Sequence, residues 1–229
     1  MFISLEKKIL FFHISKTAGT SATYFLRNHC PDHEKAYQDI FYANRNHEAC
    51  KHITVNWKDN YNWDDPDFDP IQHIIPSHAK SFLNLYKKDY SDFFEFIIIR
   101  NPYQRFLSKF QYRVTHNPGD DFDWMISGLE SEFANSLSEP LKYWFLPQTS
   151  YVDDSITKNL KIYRFEELDK LWCDLTDLLQ IDRETVKIPL INQNNDKHKY
   201  AAVLGLEQKQ RIYNMYKSDF IRFGYDREF

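Results

Sequence analysis

The chain has 229 residues, 42% hydrophobic and 27% charged, an ordinary globular composition with enough apolar content for one substantial core. Lysine and arginine total 29 against 33 acidic residues, a net charge of −4, so bulk electrostatics disfavour a nucleic-acid binder and leave room for a local basic pocket. Cys30, Cys50 and Cys173 lack CxxC spacing and give neither a disulfide framework nor a zinc signature, and no apolar run approaches the roughly 20 residues of a membrane span. The opening MFISLEKKILFFHISK lacks a signal-peptide layout, so the expectation is one domain over 1–229, cytoplasmic, with no integral membrane segment.

In chain order, residues 9–12 (ILFF) form a continuous apolar run, suited to a strand buried on both faces of a parallel sheet. Gly19 punctuates the polar stretch after it, and Thr20 or Ser21 is placed to cap a helix over 22–29. A second helix is a candidate within 33–50, and 53–57 read as a short strand. Residues 56–70 (NWKDNYNWDDPDFDP) turn acidic and aromatic. Asp65, Asp67 and Asp69 have calcium-loop spacing, but Pro70 replaces the turn glycine and Pro76 the closing glutamate, so a solvated loop is expected. Trp57 and Trp63 are left there as a candidate sugar-stacking surface.

Residues 71–75 read as a strand ending at PSHAK, before a helix over 79–88. EFIII at 95–99 is a second buried strand, closed by Arg100. Asn101-Pro102 then starts a helix, with a capping side chain before proline at the first helical position. Along it Tyr103, Phe106, Leu107, Phe110 and Val114 share one arc, with Arg105, Ser108 and Tyr112 on the other side. Helices at 122–135 and 166–179, a strand at 161–164, a polar loop at 189–200 and a last helix at 207–220 before Gly224 complete the chain. Strands alternating with helices argue for an α/β fold with a central parallel sheet.

The stretch FFHISKTAGTS carries the first chemistry. A strand-loop-helix presents unpaired N–H groups and the positive end of the helix dipole, an anion site made from backbone. Lys16 adds a point charge, and Thr17, Thr20 and Ser21 add donors; an ordinary turn with a surface lysine would satisfy the same pattern. The lysine precedes Gly19, whereas a nucleotide-hydrolysing P-loop places it after the glycine, beside a hydroxyl that holds magnesium. The second strand of such enzymes often ends in a metal-binding aspartate. Here it ends in Arg100, which argues for a second phosphate and against a metal.

Together these segments resemble the sulfotransferases that use 3′-phosphoadenosine-5′-phosphosulfate (PAPS), in particular the carbohydrate branch of the heparan sulfate 2-O kind. HISKTAGTS resembles that family's 5′-phosphosulfate loop, HxPKTGGTS, with Ala18 in place of a glycine and Ser15 in place of proline. IIIRNPYQRFLSKF resembles its 3′-phosphate segment, RxPxxRxxS, and SHAK the segment carrying its catalytic histidine. PQTSYV, IYRFEEL and YKSDFIRFGYD also resemble it.

The resemblance implies a P-loop NTPase-like three-layer fold, with a central parallel sheet flanked by helices. It implies PAPS as donor, adenosine 3′,5′-bisphosphate (PAP) as product, no metal, and a glycan, glycolipid or other hydroxyl-bearing acceptor. Lys16 and His78 become the catalytic candidates, Lys16 meeting the leaving phosphate and His78 taking the acceptor's proton. Lys16, Thr17, Ala18, Gly19, Thr20 and Ser21 form the candidate 5′-site, and Arg100, Arg105 and Ser108 the 3′-site. His13 is the rival to His78 but begins the loop. Gln148 is placed near the acceptor, and Lys197, His198 and Lys199 in a covering loop. A small-molecule kinase and a non-catalytic nucleotide- or glycan-binding protein are the alternatives.

Overall fold

A computed structural model describes residues 1–42, 73–86, 89–116, 119, 121–135, 144–157, 159–186 and 204–228. Among these, four strands form one sheet in the order β1 (Phe2–Ser4), β2 (Ile9–Phe12), β3 (Phe94–Ile99) and β4 (Lys161–Arg164). β2, β3 and β4 are parallel, with Phe12 opposite Ile97 and Ile99 opposite Arg164. The sequence reading has no strand at β1. The chain there turns back at Lys8, whose φ is 54°, and pairs antiparallel with β2, Phe2 opposite Phe11. The sheet is therefore mixed rather than wholly parallel.

Seven α-helices surround it among the described residues: α1 (Gly19–His29), α2 (His33–Tyr37), α3 (Pro76–Leu85), α4 (Pro102–His116), α5 (Phe122–Asn135), α6 (Leu168–Leu179) and α7 (Leu206–Phe223). Side chains alternate across a strand, so the apolar runs feed two faces. Ile9, Phe11, Phe96 and Ile98 pack with Ala22 and Phe25 of α1 and Leu171, Trp172 and Leu175 of α6. Leu10, Phe12, Ile97 and Ile99 pack with Ala36 of α2 and Ala79, Phe82 and Leu83 of α3. Glu95, the one charge within β3, is matched by Lys80 of α3.

The α4 start has its expected cap: Asn101 Oδ1 accepts the N–H groups of Tyr103 and Gln104 at 3.0 and 3.4 Å. α7 stops at Gly224, whose φ of 62° is left-handed. The strand expected at 71–75 is corrected where it is described. Ile74 and Ile75 belong to no strand; Ile75 is extended, and Ile74 is buried in the core. Pro76 fixes φ for a first helical turn, so the helix begins there and takes in His78. The expected strand at 53–57, the stretch 56–70 and the loop 189–200 lie outside the described residues. No helix among the described residues is long and apolar enough to cross a membrane.

A third core joins α4, α5 and α7. Tyr103, Phe106, Leu107 and Phe110 meet Phe122, Met125, Ile126, Ile212, Tyr216 and Phe220, with Val114 at the margin. The other arc of α4 is solvated only towards its later part, where Ser108 is half-buried and Tyr112 50% exposed. Arg105 is 2% exposed and Lys109 0%.

Lys109 Nζ has no hydrogen-bond partner among the described residues. It lies 4.8, 5.6 and 5.9 Å from the ring centres of Phe145, Tyr216 and Trp144. Burial, reinforced by the charge of Arg105, holds its pKa well below the ordinary 10.5. Between that lowered value and the ordinary one the unfolded chain binds a proton that the folded chain does not. Stability should therefore rise with pH towards 10.5, by up to about 1.4 kcal/mol per unit. We expect Lys109→Met to stabilise the protein at pH 7 by about 1–4 kcal/mol. It should also flatten the rise in stability from neutral to alkaline pH, as followed by urea unfolding.

Candidate active site

The loop from His13 to Ala18 joins the carboxyl end of β2 to α1. Lys16 and Ala18 both take left-handed φ, 65° and 68°, and flank Thr17 on the ordinary side of φ. Alternation of that kind turns successive N–H groups to one side and makes an anion-binding concavity. The Thr17 hydroxyl donates to the Ile14 carbonyl at 2.8 Å and fixes the turn.

The expected cap by Thr20 or Ser21 does not form. Ala18 takes the cap position, with no side-chain hydrogen bond, and α1 starts at Gly19. The first helical hydrogen bond runs from Ala22 N–H to the Ala18 carbonyl at 3.2 Å, so the amides of residues 19–21 come before the helical ladder.

Gly19 is required by contact. A Cβ there would lie 1.8 Å from the nearest atom of the His13 ring. That ring stacks on Phe11 and meets His73 edge-on at 4.7 Å. His73 Nδ1 lies 2.9 Å from the His13 carbonyl, the geometry of an Nδ1–H donor. Burial lowers the pKa of His13 well below its ordinary value and that of His73 to about 3. Both rings are therefore neutral packing beside the loop. His73 and Ile74 lead into α3, so the helix that carries half-buried His78 in its first turn starts against the loop.

Arg100 follows β3, the strand parallel to β2. Its Nη1 donates to the Lys16 carbonyl at 3.2 Å, and its guanidinium lies 4.1 Å from the Phe165 ring centre. Its Nε is buried without a partner among the described residues. Burial lowers its pKa to about 10, against the opposing charge of Glu166. Lys16 Nζ stands 4.5 Å from the Tyr112 ring centre, and burial, then the charge of Arg100, lowers its pKa. The two sequence motifs thus converge at adjacent strand ends: the Arg100 guanidinium touches the Lys16 backbone, and its charge is felt by the Lys16 ammonium.

Arg105 sits beneath this pair. Its Nε donates to the Ser15 carbonyl at 3.1 Å, Nη1 to the Leu146 carbonyl at 2.9 Å, and Nη2 to Ser15 Oγ at 3.3 Å. Ser15 Oγ in turn donates to the Trp144 carbonyl at 2.6 Å. The Arg105 guanidinium thus faces protein acceptors and braces the loop. Ser108, one turn on, is half-buried.

Sequence reasoning placed Gln148 near the acceptor and missed Asp219. Gln148 is 0% exposed and clasps the Arg100 peptide from both sides: its Oε1 accepts the N–H at 2.8 Å, and its Nε2 donates to the carbonyl at 2.8 Å. Asp219, also 0% exposed, accepts the N–H groups of Gln148 and Thr149 at 2.8 and 2.9 Å. The signal for Asp219 was its place on the buried arc of α7, with Ile212, Tyr216, Phe220 and Phe223. A carboxylate at such a position needs donors.

The donor set suits an anion. It has an uncapped helix start, a glycine pressed under an aromatic ring, two adjacent cations and one orphaned guanidinium N–H. Among the described residues no group of three or more His, Cys, Asp or Glu is placed to hold a metal ion.

No curated protein and no solved structure matches the chain. A sequence profile of the sulfotransferase family matches residues 1–226, nearly its whole length. The chain therefore belongs to the sulfotransferase family, enzymes that move a sulfuryl group from PAPS to the hydroxyl of an acceptor.

Proposed function

We propose that this sulfotransferase grips PAPS by both phosphate ends and modifies a hydroxyl of a carbohydrate or glycolipid, in the manner of the heparan sulfate 2-O branch. The observation that carries this reading is the contact between Arg100 and the Lys16 carbonyl, with a guanidinium N–H left over. The Arg100 charge lowers the affinity of Lys16 for its proton, a cost that an anion near both offsets. Adjacent parallel strands flanked by helices support the likeness to P-loop nucleotide-binding folds, in which ligands lie beyond the strands' carboxyl ends.

In this reading the amides of residues 17–21 and the Lys16 ammonium receive the 5′-phosphosulfate, and Arg100 with Ser108 receives the 3′-phosphate. Arg105 contributes from below by holding Ser15, and so the loop. The donor supplies the activated sulfuryl group. Lys16 faces the negative charge that grows on the departing phosphate oxygen as its bond to sulfur breaks. His78 takes the acceptor hydroxyl's proton as that oxygen bonds to sulfur. The placement of α3 against the loop supports His78 for this task, and the neutral, buried His13 is the weaker candidate.

A ligand panel tests the donor. Saturating PAP, at about 100 times its Kd, should stabilise the protein by about 2.7 kcal/mol, a Tm rise of roughly 5–10 °C. AMP should do less, and a rise only with magnesium-ATP would favour a kinase and overturn the reading. Arg100→Ala should weaken PAP about 10–100-fold through loss of a charge-assisted contact. Lys16→Ala should leave PAP affinity nearly intact while turnover falls about 100-fold or more. With labelled PAPS and a panel of glycan acceptors, His78→Ala should lower turnover by about 10²–10⁴; wild-type rates at neutral pH would remove His78 as the base.

A further inference from the structure

Arg100 is the first residue beyond the β3–β4 ladder, whose last pair is Ile99 with Arg164. Its peptide has left the sheet, yet its partly buried N–H and carbonyl still need partners. Gln148 supplies both at 2.8 Å, as a neighbouring strand would. A primary amide offers a donor and an acceptor side by side in one plane.

The backbone that carries this side chain is itself held. Asp219 accepts the Gln148 and Thr149 N–H groups, and Tyr216 of the same helix donates to the Phe145 carbonyl at 3.0 Å. The same short segment reaches the loop. Its Trp144 carbonyl accepts from Ser15 and its Leu146 carbonyl from Arg105, which also holds Ser15. Residues 144–149 thus tie the Arg100 peptide to the phosphate loop, and fix the separation of the two cationic sites.

We infer that Gln148, oriented by Asp219, is a positioning residue for recognition of the nucleotide's 3′-phosphate: it clasps the Arg100 peptide and so aims the guanidinium. This rests on the reading that Arg100 receives that phosphate. Gln148 touches no ligand itself. Loosening its clasp lets the guanidinium wander, and misplacement by about an ångström is enough to cost much of a charge-assisted contact.

The test compares the affinities of PAP and AMP, which differ by the 3′-phosphate, by titration calorimetry on the full chain. Gln148→Met keeps size and loses both hydrogen bonds. It should weaken PAP about tenfold and leave AMP within about twofold, which a general loss of folding would not do. Added to Arg100→Ala, it should change PAP no further, because both act through one guanidinium. Asp219→Asn gives a milder loss of the same preference, and carries the test if Gln148→Met does not fold. If Arg100→Ala abolishes the preference for PAP while Gln148→Met keeps it, or weakens both ligands equally, the positioning role is overturned and the 3′-site stands. If Arg100→Ala itself keeps the preference, the 3′-site reading fails and this inference falls with it.

Discussion

A guanidinium shut inside the protein holds the site together. Arg105 is 2% exposed and spends its donors on the carbonyls of Ser15 and Leu146 and on the Ser15 hydroxyl. Its position on α4 makes this possible, because the residues on either side of it anchor the helix in the third core. The helix is thereby rigid, and the loop inherits that rigidity through one planar group. A lysine could not replace it. Its single ammonium cannot reach acceptors on two separate chain segments in a fixed plane.

The same arrangement concentrates positive charge in a chain whose net charge is −4. The Arg100 guanidinium reaches the Lys16 carbonyl at the site, with the Arg105 guanidinium behind them. Burial keeps His13 and His73 uncharged, so the nearest aromatic wall adds shape without further repulsion. The local field is thus set by a few cations on three elements: the loop, the end of β3 and the first turns of α4. This division explains why bulk composition excludes a broad basic surface yet permits a selective anion pocket.

Much of this was readable in the residues. The runs ILFF and EFIII are apolar at every face-alternating position or nearly so, and only strands covered on both sides need that. Asn101-Pro102 and Gly224 mark helix ends because their backbone chemistry does so locally. β1 was not legible, since three residues are too few to show a period. The helix start at Pro76 was hidden by the apolar run before it; Ile74 is buried by core packing without joining the sheet. Lys16 and Arg100 were found as charges at strand ends. Arg105 was read as a phosphate ligand, while its brace depends on carbonyls at residues 144 and 146, far along the chain. The Gln148 clasp depends on the same kind of distant partner, and no local pattern announces it.

Ala18 holds a backbone conformation that glycine adopts freely, with φ of 68°. A methyl side chain there costs about 1–2 kcal/mol in the folded loop. A glycine would instead give the unfolded chain more conformational entropy to lose, about 0.5–1 kcal/mol. The strain outweighs the entropy, so the alanine lowers stability somewhat and adds stiffness. It narrows the shapes the turn samples before any ligand arrives, so less disorder is left to be quenched when phosphates dock.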